Sequence, residues 1–115
     1  MALSQRQKGK HGEQEAARLM SDIWPRCMSV RAGGETMTTP GRDLLNTPRF
    51  CVQVKTRNTI SPVQALLEAT RAAELHEIPI ALCRRTVAGH TQPWTVTLSV
   101  NDFKRLVLAK LYELR

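Results

Sequence analysis

The sequence predicts an α/β domain in which a central mixed β-sheet is flanked by helices, in the order α-β-β-β-α-β-β-α. Three observations carry that prediction. Apolar residues recur at helical spacing near the start, middle and end of the chain. Between them lie an alternating run at Phe50–Arg57 and a nearly continuous apolar run at Ile78–Arg85, both of strand length. A chain of 115 residues builds one modest core, and no internal repeat, low-complexity tract or composition break divides it, so residues 1–115 read as a single domain.

The first helix runs from Gly12 to about Trp24, where Ala16, Ala17, Met20 and Trp24 form its apolar stripe, and Pro25 ends it. The segment before it, Ser4–His11, is basic and leads into or begins the helix, with Lys8 and Lys10 as natural phosphate contacts. Glu13 shares the apolar stripe, so its carboxylate is aimed at the sheet and needs a partner or a metal. The alternative is a first-turn acid that favours the positive end of the helix dipole. Arg26–Arg31 reads as the first strand. Residues 32–41 form a long loop of Gly, Thr and Pro, either a closing loop over a ligand or a plain connection, and Glu35 is its only acid and a spare ligand.

Gly41–Leu45, a turn at Asn46–Arg49, and Phe50–Arg57 read as a β-hairpin. In its second arm Cys51, Gln53 and Lys55 alternate with Val52 and Val54. That pairing places Asp43 almost opposite Gln53, so Asp43, Gln53 and Lys55 converge on one side of the sheet. Ser61, Pro62 and Gln64 mark a helix start, with the helix extending to about His76. Ile78–Arg85 is a buried inner strand that emerges in two arginines. Gly89–Pro93 makes a turn, Trp94–Leu98 a further strand, and Ser99 caps the last helix. There Phe103, Val107, Leu111 and Leu114 form a stripe widened by Leu106 and Leu108. Packing under the sheet is the expected use of that stripe, and a dimer interface the alternative.

The formal net charge is +7 and the sequence pI about 10.0, which points to a polyanionic partner, either nucleic acid or an anionic membrane surface. Arginine outnumbers lysine 12 to 5, which suits bidentate phosphate contacts. No run has the length of a membrane span and the N-terminus lacks the apolar core of a signal peptide, so a cytoplasmic location is expected. Cys27, Cys51 and Cys83 are widely spaced in apolar stretches and read as buried free thiols. The three histidines share no metal-ligand spacing, and His11 is at most a phosphate contact. With few aromatic residues there is little basis for a base-stacking platform, so a nucleic-acid partner would be read through its backbone and shape.

Gly12-Glu13 on the first helix, Pro40-Gly41-Arg42-Asp43 at the hairpin start and Gln53-Val54-Lys55 on its second arm resemble the PD-(D/E)XK nuclease superfamily, and most of all the small archaeal-type Holliday-junction resolvases and related phage and repair endonucleases. The resemblance implies a restriction-endonuclease-like fold and an endonuclease that hydrolyses DNA phosphodiester bonds with Mg²⁺ or Mn²⁺. It implies catalytic roles for Glu13, Asp43, Gln53 and Lys55, with Asp43, Gln53 and Glu13 as the metal ligands. It further implies DNA contacts from Lys8, Lys10, Arg31, Arg42, Arg57, Arg84 and Arg85, branched or duplex DNA as partner, and a homodimer. One position departs from the pattern. Gln53 stands where the family usually has Glu or Asp, and an amide offers a cation its carbonyl oxygen without negative charge. A nuclease-fold DNA-binding module with weak or no activity is therefore the alternative. The residues also admit a plainer account: Asp43 as a turn acid paired with Arg42 or Arg49, and Gln53 with Lys55 as the solvated face of an edge strand.

Overall fold

The computed structural model describes residues 5–30, 40–57, 59–87, 90 and 92–114, with the backbone alone for residues 5–8. Arg31 and Glu35 lie outside the described residues, as does the side chain of Lys8. Helix α1 spans Gln5–Leu19 and tightens into a 3₁₀ turn at Met20–Asp22. The strands are β1 (Met28–Ser29), β2 (Leu44–Leu45), β3 (Phe50–Arg57), β4 (Ile78–Arg85) and β5 (Thr95–Thr97), with α2 (Pro62–Ala72) between β3 and β4, and α3 (Val100–Glu113) at the end. This is the expected element order in a compact α/β arrangement.

The sheet is mixed but divided. β3 and β4 pair in parallel across α2, and β4 pairs antiparallel with β5. β1 and β2 form a separate antiparallel pair, Met28 with Leu45 and Ser29 with Leu44. The expected hairpin is thus only partly made, because the first arm takes its ladder from β1. It is tied to β3 by the Asp43 amide, which donates to the Val52 carbonyl at 2.8 Å. The turn explains the divergence: Asn46 and Arg49 both have positive φ, and Pro48 between them has no N–H to give. The Phe50 amide closes the turn onto the Thr47 carbonyl, and the Thr47 hydroxyl donates to the Phe50 carbonyl.

Both faces of the β3–β4 ladder are covered, and the period of two decides what each face carries. Val52, Val54, Ile80 and Leu82 face α1 and join Ala16, Ala17 and Leu44 in the main core, closed at one end by Trp24 against Phe50 with ring centroids 5.3 Å apart. Ala81 and Cys83 face α2 and pack on Ala65. Small residues on both sides let α2 lie close. Cys51 and Cys83 are buried and Cys27 half-buried, all three are free, and burial raises each thiol above its ordinary value. Such thiols stay protonated and behave as small apolar side chains.

Helix α2 starts as the sequence predicts, with the Ser61 hydroxyl accepting from the Gln64 amide and Pro62 at the first helical position. It ends at Ala72 rather than near His76. Arg42 and Glu77 account for the early stop: the Glu77 carboxylate takes the Glu74 amide at 2.9 Å, and the Arg42 guanidinium holds both Glu77 oxygens and reaches the Ala72 carbonyl. The bond to Arg42 lowers the Glu77 pKa and raises that of Arg42. Arg42→Met should therefore destabilise the fold by about 1.5–3 kcal/mol at neutral pH. Because the Glu77 pKa is depressed in the folded state, that difference should be full above the ordinary glutamate range and shrink as the pH falls through the lowered value. Urea melts of both proteins at several pH values measure it, and a gap that stays constant into acid would contradict it.

Helix α3 departs furthest from expectation. Its Ser99 cap forms as read, the hydroxyl accepting from the Asp102 amide, but none of its residues is buried. It does not pack under the sheet, because α1 and α2 already cover both faces of β3–β4 and β5 adds only three residues. No helix among the described residues is long and apolar enough to cross a membrane.

Candidate active site

The candidate site is built on Gln53, Val54 and Lys55 of β3. Asp43 reaches this segment from the strand before it, and its Oδ2 accepts the Val54 amide at 2.8 Å. The Asp43 carbonyl in turn takes the Val30 amide at 2.9 Å, so main-chain bonds fix the acid's backbone on both sides. Gln53 and Lys55 point to the α2 face, and there Glu68 meets them. The Glu68 Oε2 atom accepts from Gln53 Nε2 at 2.6 Å and lies 3.2 Å from Lys55 Nζ.

Glu68 was not among the residues the sequence singled out. A signal for it existed. Glu68 follows Ala65 by three residues and precedes Ala69 by one, and both alanines are buried, so the carboxylate sits on the inward stripe of α2 just as Glu13 does on α1. Gly41 fixes the spacing between the strand entry and that helix. It has φ +93°, and a Cβ at this position would overlap the Glu68 main-chain carbonyl; only glycine satisfies both demands.

Glu13 is buried, with 7% of its surface exposed, and α1 approaches β3 from the opposite face. Gly12 permits that approach, since a Cβ there would press on the Thr56 side chain. The acid on the Gln53–Lys55 face is therefore Glu68, and Glu13 comes to the strand from the other side. Among the described residues, no group of three or more His, Cys, Asp or Glu side chains is arranged to hold a metal ion. Oxygen donors for a hard cation are nonetheless present. Gln53 is 5% exposed and its Oε1 is buried with no hydrogen-bond partner, a costly state for a carbonyl oxygen unless something binds it. The Gln53 amide oxygen and the Glu68 carboxylate on this face, and the Asp43 carboxylate at the Val54 amide, are oxygen donors of the type hard cations take.

The basic residues divide into two groups. Arg84 forms a bidentate pair with Glu15 of α1 and stacks 4.9 Å from the Trp94 ring centroid. Arg42 is engaged with Glu77. Both cations tie elements together and have their hydrogen-bonding capacity directed inward. Lys10, Arg57 and Arg85 are exposed; Arg57 and Arg85 stand side by side where β3 and β4 end. Next to them opens a cleft of about 210 Å³ whose walls include Lys55, Arg57, Ser61, Gln64 and Glu68. It runs from the candidate acid to the first turn of α2, where main-chain amides favour anions. Comparison with protein-family models, curated proteins and solved structures found no match to this chain.

Proposed function

We propose that the chain is a Mg²⁺- or Mn²⁺-dependent DNA endonuclease with a restriction-endonuclease-like fold, selective for DNA structure in the manner of Holliday-junction resolvases, in which Glu68 supplies the carboxylate that Gln53 lacks. The observation that carries this reading is the meeting of Glu68 with Gln53 and Lys55 on one face of β3. It bears on the main objection to the sequence pattern, since a carboxylate from the neighbouring helix stands beside the amide that replaces the usual acid. Asp43, Glu68 and Gln53 Oε1 would hold the cation, which when bound polarises the phosphate and makes a water molecule more acidic. Lys55 supplies a positive charge directed to the same place, where it can offset charge on a phosphate oxygen. The cleft leading to Arg57 and the α2 N-terminus gives the DNA backbone a route to those groups.

The test is cleavage of supercoiled, linear, flapped and four-way DNA with each metal, a preference for branched DNA being expected. Binding without cutting under either metal would instead establish the second reading, a catalytically silent DNA-binding module. That reading draws on one observation, that Glu68 is already engaged by Gln53 and Lys55. The division among the arginines is testable as well. Arg57→Ala should reduce the slope of log affinity against log salt by about 0.9 for duplex DNA. Arg84→Ala should leave that slope unchanged and lower the melting temperature, because its partners are Glu15 and Trp94. Equal slopes for wild type and Arg57→Ala would remove Arg57 from the DNA path.

A further inference from the structure

The cleft beside Lys55 and Arg57 shares a wall with a second cavity. Ile60 lines both, and the second, of about 180 Å³, is enclosed further by Pro62, Cys83 and Pro93, with Arg85, Gln92 and Thr95 as its polar members. We propose that this second cavity receives a single unstacked nucleobase whose own phosphate lies in the Lys55–Arg57 cleft. The inference rests on the reading of the chain as an enzyme that cuts DNA. It names the feature of the substrate that the chain selects, a nucleotide drawn out of the stack at a branch.

Three observations select a base as the occupant. The first is continuity. Because Ile60 belongs to both walls, a group in the second cavity and a phosphate in the first are joined by a short link, as a base and its phosphate are through one sugar. The second is the lining. Ile60, Pro62 and Pro93 give compact apolar surface, and an extruded base is held between such side chains and read by hydrogen bonds along its edge. Gln92 carries an amide that both donates and accepts. Thr95, whose hydroxyl donates to the Cys83 carbonyl at 3.1 Å, offers its oxygen as an acceptor. Among the described residues no aromatic side chain lines this cavity, so the base is gripped by shape and edge contacts rather than by ring stacking. The third is charge. Arg57 lines the first cavity and Arg85 the second, and the two stand opposite one another in the β3–β4 ladder, so a strand with one base inserted runs between cations. A peptide side chain inserted here would bring no anionic backbone to meet them. Extrusion costs least where the stack is already disturbed, which ties the cavity to branched DNA.

The test is an abasic scan of a flapped duplex, with affinity read by fluorescence anisotropy in EDTA so that no strand is cut. For the wild type, removing the base at one position beside the branch should weaken binding by about tenfold, while its neighbours change little. Thr95→Leu and Cys83→Met narrow the cavity from an exposed and a buried wall. Each should bind the intact flap about tenfold more weakly than wild type, bind the abasic flap as wild type does, and keep the wild-type salt slope and near-UV spectrum. Arg57→Ala, in contrast, should weaken every DNA in the scan and leave the sensitive position in place. Steeply salt-dependent binding with a flat wild-type scan overturns the base site and leaves the proposed function standing. A sensitive position that persists in folded Thr95→Leu overturns the base site as well. Absence of salt-dependent DNA binding overturns the proposed function, and the base site with it.

Discussion

Asp43→Asn should fold as the wild type does and lose cleavage by on the order of 10³-fold, because a metal-polarised phosphate is worth several kcal/mol of transition-state stabilisation. The amide is the informative substitution at this position. On the proposed reading Asp43 has a chemical task, and it has a structural one as well, since its Oδ2 is the acceptor for the Val54 amide. Asparagine keeps an acceptor there while removing the charge. Asp43→Ala removes both, leaves a main-chain N–H of a buried residue without a partner, and should destabilise the domain by about 1–3 kcal/mol in addition to abolishing cutting. Thermal melts and single-turnover cleavage of the two variants separate the tasks. Full activity in Asp43→Asn would show that Asp43 is only a structural acceptor, which is the plainer account of the hairpin.

The second large effect is expected at the Gln53–Glu68 contact. Gln53→Glu sets a second carboxylate where an amide now donates at 2.6 Å, so without divalent metal the variant should be less stable than wild type by roughly 1–3 kcal/mol. Two carboxylates so close share a proton, and the folded-state pKa of the pair rises. The penalty should therefore be complete above that raised value and disappear as the pH falls below the ordinary glutamate range. The exchange Gln53→Glu with Glu68→Gln restores one acid, one amide and the pairing with Lys55, and should recover the lost stability. If Glu68 and residue 53 are joint ligands, Mg²⁺ should raise the melting temperature of Gln53→Glu more than that of wild type. A single variant as stable as wild type without metal would show that the contact matters little to either protein.

How far these features could be read from the residues depended on whether their causes were local. The bounds of β4 and the start of α2 were legible because a continuous apolar run and a Ser-Pro-x-Gln start act within a few residues. The end of α2 was not, since it is set by Arg42, distant in sequence from the helix it stops. Gln53 and Lys55 could be placed on one face through strand alternation alone, and the part of the expected hairpin that forms ties Asp43 to the same strand at the Val54 amide. Glu68 required knowing that α2 crosses the polar side of β3, and this follows from the parallel pairing with β4. The rule that drew attention to Glu13, an acid within an apolar stripe, applied equally to Glu68. It was masked because the stripe there consists of alanines, which make a weak pattern. The packing of α3 was misjudged for a different reason: an apolar face is visible in a sequence, but whether the fold has a surface left to receive it is not.

The register between β3 and β4 bears on how the candidate site comes into being. Every pair in that ladder, from Phe50 with Ile78 to Arg57 with Arg85, has the same separation along the chain. Once the first pair closes its loop, the others add hydrogen bonds without closing another, so the ladder forms cooperatively. Gln53 and Lys55 lie on one of its strands and Glu68 lies within the enclosed crossover. Their meeting is thus a local event of a single folding unit, and only Asp43 must be brought to it from outside.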